Sequence, residues 1–373
     1  MVIDQNYILN RITTLIAEKQ AELHKSYESQ KSILKIKYGI PSWLRKLIFN
    51  PLNPAFAIKK QYDEIKGNKI IVPPLHRFAI DFMSYVKNNA SLYFDCSKYY
   101  DDESFSAIID FIDNRIRSVF AGFSKIPINS KQKTYKQKIE QYRDKVKKIK
   151  NDCFMLQHNF YKYYLSVNSF FPYIFDHHYG LKDLPEPLKK YISNKVFLDI
   201  GAYCGDSSLI FSHYNPLHIY AYEPESKNFM LLERTIAKNK LEKVTPIKKG
   251  LGAEITQMPI SCDGMAASLI ESNQNIDVKN ETVEISTIDI ECSDKNVGLI
   301  KMDVEGFEYF VVKGGQNTIK RDKPLLLISL YHTGRDFFEI PPMIKEVCPE
   351  YKFKFYDLAP SDIICDKILI AYI

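Results

Sequence analysis

The stretch Lys195-Val-Phe-Leu-Asp-Ile-Gly-Ala-Tyr-Cys-Gly-Asp-Ser-Ser208 constrains the fold of this chain more than any other. Apolar Val196, Phe197, Leu198 and Ile200 run into Gly201 and Gly205, then into Asp206, Ser207 and Ser208 ahead of Leu209, Ile210 and Phe211. A short apolar run ending in glycine, followed by an acid- and hydroxyl-rich helix start, predicts a buried strand turning into a helix. Glycine at such a turn tolerates positive φ and lets a ligand approach the backbone. Free N–H groups at the helix start attract an anionic or polar ligand group. The next apolar run, His218-Ile-Tyr-Ala-Tyr-Glu-Pro224, ends on Glu223, twenty-two positions after Gly201. In nucleotide-binding α/β units a carboxylate at that distance accepts hydrogen bonds from ribose hydroxyls. The plainer reading is a surface acid beside an ordinary βα turn.

From residue 195 onward the pattern alternates. Strands are predicted over 196–200, 217–222, 244–249, 297–302, 324–330, 351–356 and 367–372, with helices over 206–213, 226–239, 307–319 and 340–347. Such alternation predicts a mostly parallel sheet with helices on both faces. The short connection before the final strand makes one of the last two antiparallel.

A chain of 373 residues calls for two domains. Residues 1–167 read as a mainly helical region, 168–194 as a connector, and 195–373 as the α/β domain. A helix is predicted over 4–37, Trp43 falls in an apolar cluster, and Asp101-Asp-Glu-Ser104 caps another helix. Tyr135, Ile139, Tyr142, Val146, Ile149, Cys153, Leu156, Phe160 and Tyr163 recur in steps of four and three, predicting a heptad-like helix over 131–165. Such a helix packs on its own domain, pairs with a second copy to give a homo-oligomer, or is drawn to acidic glycans or a membrane surface. His177 and His178 in the connector read as part of a polar linker or lid.

Charge is concentrated in one place. Residues 131–150 hold nine Lys/Arg against Glu140 and Asp144, a net +7 beside +6 for the whole chain. A nucleic-acid partner argued from overall basicity is therefore excluded. The seven cysteines are scattered, with no CxxC pair, which predicts reduced thiols rather than a zinc site or disulfides. No run reaches the roughly 18 apolar residues of a membrane span, and Met1–Lys19 carries charges unlike a signal peptide. A cytoplasmic protein is expected.

Two further stretches carry chemistry. Gly298-Leu-Ile-Lys-Met-Asp-Val-Glu-Gly-Phe-Glu308 delivers Lys301, Asp303, Glu305 and Glu308 to a strand's carboxyl end, where ligands bind in open α/β sheets. Crowded acids there call for a cation, proton or substrate to share; a salt-bridged strand end is the alternative. Leu327-Ile-Ser-Leu-Tyr-His332 places a histidine at the end of the neighbouring strand, suited to take a proton near neutral pH or to serve structure alone. Asp303 and Glu305 could hold a divalent ion with substrate oxygens, although no motif resembles a dedicated metal cage.

Together, Phe-Leu-Asp199-Ile-Gly201-Ala-Tyr-Cys-Gly205-Asp206, Tyr-Glu223-Pro224, Ser286-Thr287-Ile-Asp289 and Lys301-Met-Asp303-Val-Glu305-Gly306-Phe-Glu308 with Lys313-Gly-Gly315 resemble the FkbM-type methyltransferase family over about residues 195–373. The resemblance implies a Rossmann-like class I methyltransferase fold that binds S-adenosylmethionine. Asp199, Gly201, Ala202, Tyr203, Gly205, Asp206, Ser207, Glu223 and Pro224 would form the cofactor site, with the glycine turn against the methionine part and Glu223 on the ribose. Tyr203 stands where many members have Asn, and Ser329 where many have Glu. The expected reaction is O-methylation of a sugar hydroxyl on a glycan, with His332 as base, Asp303 orienting it or the acceptor, and Lys301, Glu305 and Glu308 as substrate or metal candidates. A catalytically silent scaffold is one rival. A nicotinamide-dependent oxidoreductase is another, disfavoured because the turn is Gly-x-x-x-Gly and lacks Gly-x-Gly-x-x-Gly.

Overall fold

The computed structural model describes residues 1–15, 74–89, 91–121, 130–261, 268–269, 280–360 and 365–373. It divides into two compact units, Met1–Pro127 with Thr333–Arg335, and Ile128–His332 with Asp336–Ile373.

In the first unit, β1 (Val2–Asp4) leads into a helix over 5–15, followed by α1 (Pro74–Asn88), β2 (Tyr93–Asp95) and α2 (Asp102–Ala121). β1 and β2 pair antiparallel. Asp101 starts α2 as expected: its Oδ1 accepts from Ser104 N at 2.9 Å and from Ser104 Oγ at 2.6 Å. Ile108, Phe111, Ile112 and Ile116 then line one buried face, and Phe82 of α1 meets Phe111 edge-on. Of the helix predicted over 4–37, only its start lies within the described residues; the Trp43 cluster lies outside them.

The second unit begins with α3 (Ser130–Lys145), and here the sequence expectation fails. The helix predicted over 131–165 stops at Lys145, and the rest is a three-stranded antiparallel sheet of β3 (Val146–Lys150), β4 (Cys153–His158) and β5 (Tyr161–Leu165). Asn151-Asp152 and Asn159-Phe160 form the turns, with Asn159 in the left-handed region at φ 51. Asn and Asp favour such turns, and the aromatic and β-branched residues between them suit strands. Val146, Leu156 and Tyr163 still share one face, but as cross-strand neighbours. The helical seam proposed for a second copy is therefore absent. This hairpin sheet belongs to the second unit, so the boundary lies near residue 127 instead of 167.

The connector is also packed structure. α4 (Pro172–Phe175), a 3₁₀ segment His178–Asp183 and α5 (Glu186–Ile192) follow, and Phe170, Ile174, Phe175, Tyr179 and Leu181 join the hydrophobic core. Asp176 ties this strap to α3 and the hairpin: Lys138 Nζ lies 2.6 Å from Oδ2 and His158 Nε2 3.0 Å from Oδ1, and the Tyr142 hydroxyl donates to the same carboxylate.

β6 (Val196–Ile200), α6 (Asp206–Phe211), β7 (His218–Tyr222), α7 (Ser226–Asn239) and β8 (Val244–Ile247) come next. A small sheet of β9 (Gly250–Leu251), β10 (Thr256–Ser261), β11 (Ser268–Leu269) and β12 (Asn280–Ser286) intervenes. Then come α8 (Ile288–Glu291), β13 (Val297–Met302), α9 (Glu308–Lys313), α10 (Gln316–Asp322), β14 (Leu325–Ser329), α11 (Gly334–Val347), β15 (Lys352–Asp357) and β16 (Lys367–Tyr372). The helix predicted over 307–319 breaks into α9 and α10 at Gly314. A Cβ there would lie 1.9 Å from Gly252 O.

The main sheet has the order β15-β16-β14-β13-β6-β7-β8, with β16 antiparallel to both neighbours and the other pairs parallel. Both β6 and β14 are buried at every position, as strands covered on both faces must be. The chain leaves β6 for β7 on one side and later returns to β13 on the other. That reversal opens a crevice at the strands' carboxyl ends.

Candidate active site

The turn after β6 and the loop after β13 are in direct contact. Gly201 has φ 74, and a Cβ on it would lie 1.9 Å from Asp303 O, so any side chain would push the two loops apart. Beneath them, the register places Lys301 beside Asp199, with Nζ 3.2 Å from Oδ1. Lys301 Nζ also donates to Gly201 O at 2.7 Å, while Asp199 Oδ2 accepts from Ser207 Oγ and Ser208 Oγ at 2.6 Å each. Burial opposes the Lys301 charge, but Asp199, Asp303 and Asp206 outweigh it and hold the amine's pKa up. Asp199 is fully buried. It fastens the glycine turn and the start of α6, and has no surface for a ligand.

Above this buried pair lies a cleft of about 250 Å³. Gly201, Tyr203, Asp206, Glu223 and Pro224 border it on the β6–β7 side, together with Asn228. Glu223 accepts from Tyr203 N at 2.9 Å and from Glu225 N at 3.0 Å. Burial raises its pKa to about 7 against those two bonds. Burial likewise raises Asp206 to about 6, with Lys301 opposing. Ala202, Gly205 and Ser207, expected at the cofactor, shape the turn without bordering the cleft.

Lys301, Asp303 and Glu305 border the opposite side with Phe171, Tyr173, Tyr179 and Tyr331. The Tyr179 hydroxyl donates to Asp303 Oδ2 at 3.0 Å and the Tyr331 hydroxyl to Oδ1 at 3.3 Å. Burial, reinforced by Asp303, holds both phenols far above their usual pKa, so both remain donors. Tyr179, Tyr203 and Glu305 all adopt positive φ, at 57, 47 and 59. Strain of this kind in bulky residues gathers at functional sites.

Glu308 and His332 lie behind this wall. Glu308 accepts from Val304 N at 2.7 Å and Gly306 N at 3.0 Å, pinning the loop that carries Asp303 and Glu305. His332 Nδ1 lies 2.9 Å from Glu308 Oε1, and its Nε2 lies 3.6 Å from Asp303 Oδ1 and 3.8 Å from Glu305 Oε2. Burial alone would lower the imidazole pKa, but Glu308, Glu305 and Asp303 together raise it to about 9. His332 is therefore a buried cation at neutral pH with no surface on the cleft. It holds acids in place and is poorly suited to the role of base. Among the described residues, Asp303, Glu308 and His332 also offer three ligand atoms within 4.8 Å of one another. Glu308 already accepts from two backbone amides beside the imidazole.

Sequence reasoning missed Tyr173, Tyr179 and Phe171, which sit in what read as a linker. The signal was present: Phe170-Phe-Pro-Tyr-Ile-Phe175 is too apolar for a solvated connector. His178 bonds Tyr214 through Nδ1 at 2.7 Å, and His177 faces Asp183 at 3.2 Å.

A seven-stranded sheet of this order, with a glycine turn and a strand-tip acid at its switch point, defines the class I methyltransferase fold. Residues 199–355 match the family model described as the Methyltransferase FkbM domain. A structure titled as methyltransferase FkbM from Methylobacillus flagellatus KT aligns with a TM-score of 0.51 at 18% identity, covering 79% of this chain. The alignment spans 62% of that chain, less than two thirds of its length. The M. jannaschii tRNA m1G37 methyltransferase aligns at 16% identity over 60% of this chain and 56% of that one, TM-score 0.29. The Pyrococcus abyssi tRNA (uracil-54, C5)-methyltransferase with S-adenosyl-L-homocysteine aligns at 11% identity over 60% and 44%, TM-score 0.35. The first likeness concerns the fold. No curated protein matches the sequence.

Proposed function

We propose that this protein is an S-adenosylmethionine-dependent methyltransferase that acts on a hydroxyl group, with a sugar unit of a glycan as acceptor. The observation that carries the reading is the single cleft joining the Gly201 turn, Glu223 and Asp303 at the switch point of the sheet. The donor set fits the cofactor. Gly201 presents backbone to the cleft, and Glu223, at the tip of the second strand of the domain, is placed to accept from ribose hydroxyls.

The bound cofactor supplies an electrophilic methyl group on a sulfonium. The protein's part is to align the acceptor in a dry site and to remove its proton. Among the carboxylates that line the cleft, Asp303 sits beside the aromatic wall and can accept the hydroxyl's hydrogen bond and then its proton. Tyr179 and Tyr331 fix its two oxygens, and the His332–Glu308 pair fixes the loop from behind. His332 is thus a positioning residue and Asp303 the base. Aromatic faces at Phe171, Tyr173 and Tyr179 beside Asp303 and Glu305 suit a sugar ring, whose C–H faces pack on rings and whose hydroxyls bond carboxylates. All six cysteines among the described residues are free thiols, which supports a reducing, cytoplasmic setting. No helix among them is long and apolar enough to cross a membrane.

The test is transfer of a labelled methyl group to a panel of glycans and aglycones. Incorporation into sugar hydroxyls that Asp303→Asn abolishes is expected. Transfer only to nitrogen acceptors, or none with Asp303 intact, would overturn the reading.

A further inference from the structure

The two edges of the hairpin sheet differ. β5 is covered: Tyr164 N donates to Asn239 Oδ1 at 3.0 Å and Asn239 Nδ2 donates to Tyr164 O at 2.6 Å. β3 pairs only with β4 among the described strands, and its Lys147, Lys148, Ile149 and Lys150 are all exposed. Lysines on an edge strand deter pairing with another chain, and for β3 alone that would suffice.

It does not account for the turn between β4 and β5. His158 pairs with Tyr161, so Asn159 and Phe160 form the projecting tip. The Phe160 side chain is 99% exposed and Tyr161 51%. A polar residue would serve this turn better. Lys162 opposes Gln157 one pair behind the tip, and Lys145 immediately precedes Val146, which opposes Leu156. The unburied Phe160 thus has Lys162 and Tyr161 just behind it, Tyr161 resting edge-on against His213, and the tip lies near the start of the lysine-rich edge strand.

We propose that this hairpin is an attachment site for an anionic lipid bilayer. Phe160 enters the interfacial layer and Tyr161 lies at headgroup level, where amphipathic rings settle. Lys145, Lys147, Lys148 and Lys162 neutralise lipid phosphates, each contributing roughly fivefold to affinity. A nucleic acid would meet the same charge. The hairpin, however, offers it one projecting ring at a tight turn and no flat aromatic platform for successive bases. The surface is separate from the cleft, and the proposal does not rest on the methyltransferase reading.

The test is sedimentation of the full chain with vesicles of phosphatidylcholine alone and of an equimolar mixture with phosphatidylglycerol. Retention on the anionic vesicles only, weakening with added salt, is expected. Phe160→Ser should lower that retention about tenfold, and the Lys147→Glu, Lys148→Glu, Lys162→Glu triple variant by more than about tenfold. Phe160→Trp should show emission that shifts blue on anionic vesicles beyond any change in the parent, whose one tryptophan is Trp43. All these positions are exposed, and unchanged circular dichroism checks their folding. Equal retention on neutral vesicles, no retention on either, wild-type retention by Phe160→Ser, or tighter binding to heparin or an RNA oligonucleotide than to anionic vesicles would each overturn the proposal.

Discussion

His332 Nδ1 lies 2.9 Å from Glu308 Oε1, and neither side chain has any exposure to solvent. The pair closes a buried link between the end of β14 and the loop after β13. A cation enclosed by three acids is a strong positioning device, because removing it takes away a buried charge that all three share. His332→Leu should therefore destabilise the protein by about 3–5 kcal/mol in urea denaturation. The sign with pH follows from the raised pKa. The stability His332 contributes is fully present below 6.5 and is lost as the pH rises through about 9. The gap between wild type and variant should narrow across that window; a gap that widened would reverse the assignment.

Asp303 meets the cleft directly, and so its replacement separates chemistry from binding. Asp303→Asn should lower kcat by about 10²–10⁴ while affinity for the cofactor changes little. Calorimetry and labelled-methyl transfer on the same preparation read the two quantities. Unimpaired turnover would remove Asp303 from the role of base.

Glu223 has its pKa raised to about 7 by burial. Hydroxyl donors favour its ionised form, so a bound ribose should pull that value down and release a proton. Affinity for the cofactor should hold above pH 7 and decline below it. Titrations in two buffers of different ionisation enthalpy would detect the proton; heats that do not depend on buffer would count against Glu223 as the ribose ligand.

Gly201 has no room for a methyl group beside Asp303 O and sits at φ 74. Gly201→Ala should lower stability by at least ~1–3 kcal/mol from backbone strain alone and weaken cofactor binding, since the turn is displaced. Thermal denaturation with and without cofactor measures both. An unaffected variant would mean that the loops part without cost.

Much of this architecture was legible because its signals are local. The glycine turn, the acid closing β7 and the alternation after residue 195 each lie within a few residues and together fix the sheet. The hairpin was misread because Val146, Leu156 and Tyr163 continue by accident the period that Tyr135 and Tyr142 set in the true helix, while Asn151-Asp152 and Asn159 mark turns beyond it. The role of His332 was only half legible. Its place at the end of a strand could be read, but the burial and the three surrounding acids that make it a cation depend on distant packing. The acceptor wall was hidden for the same reason: Tyr179 and Asp303 are 124 positions apart and meet only in the fold.

Binding of S-adenosylmethionine in the cleft through Glu223 is the central claim. Isothermal titration of the full chain with S-adenosylmethionine and S-adenosylhomocysteine, repeated on Glu223→Ala and with NAD as a control, measures this. Dissociation constants on the order of micromolar are expected for the two sulfur compounds, weakened by Glu223→Ala, with no heat from NAD. Absence of binding by both, or binding that Glu223→Ala leaves intact, would contradict it.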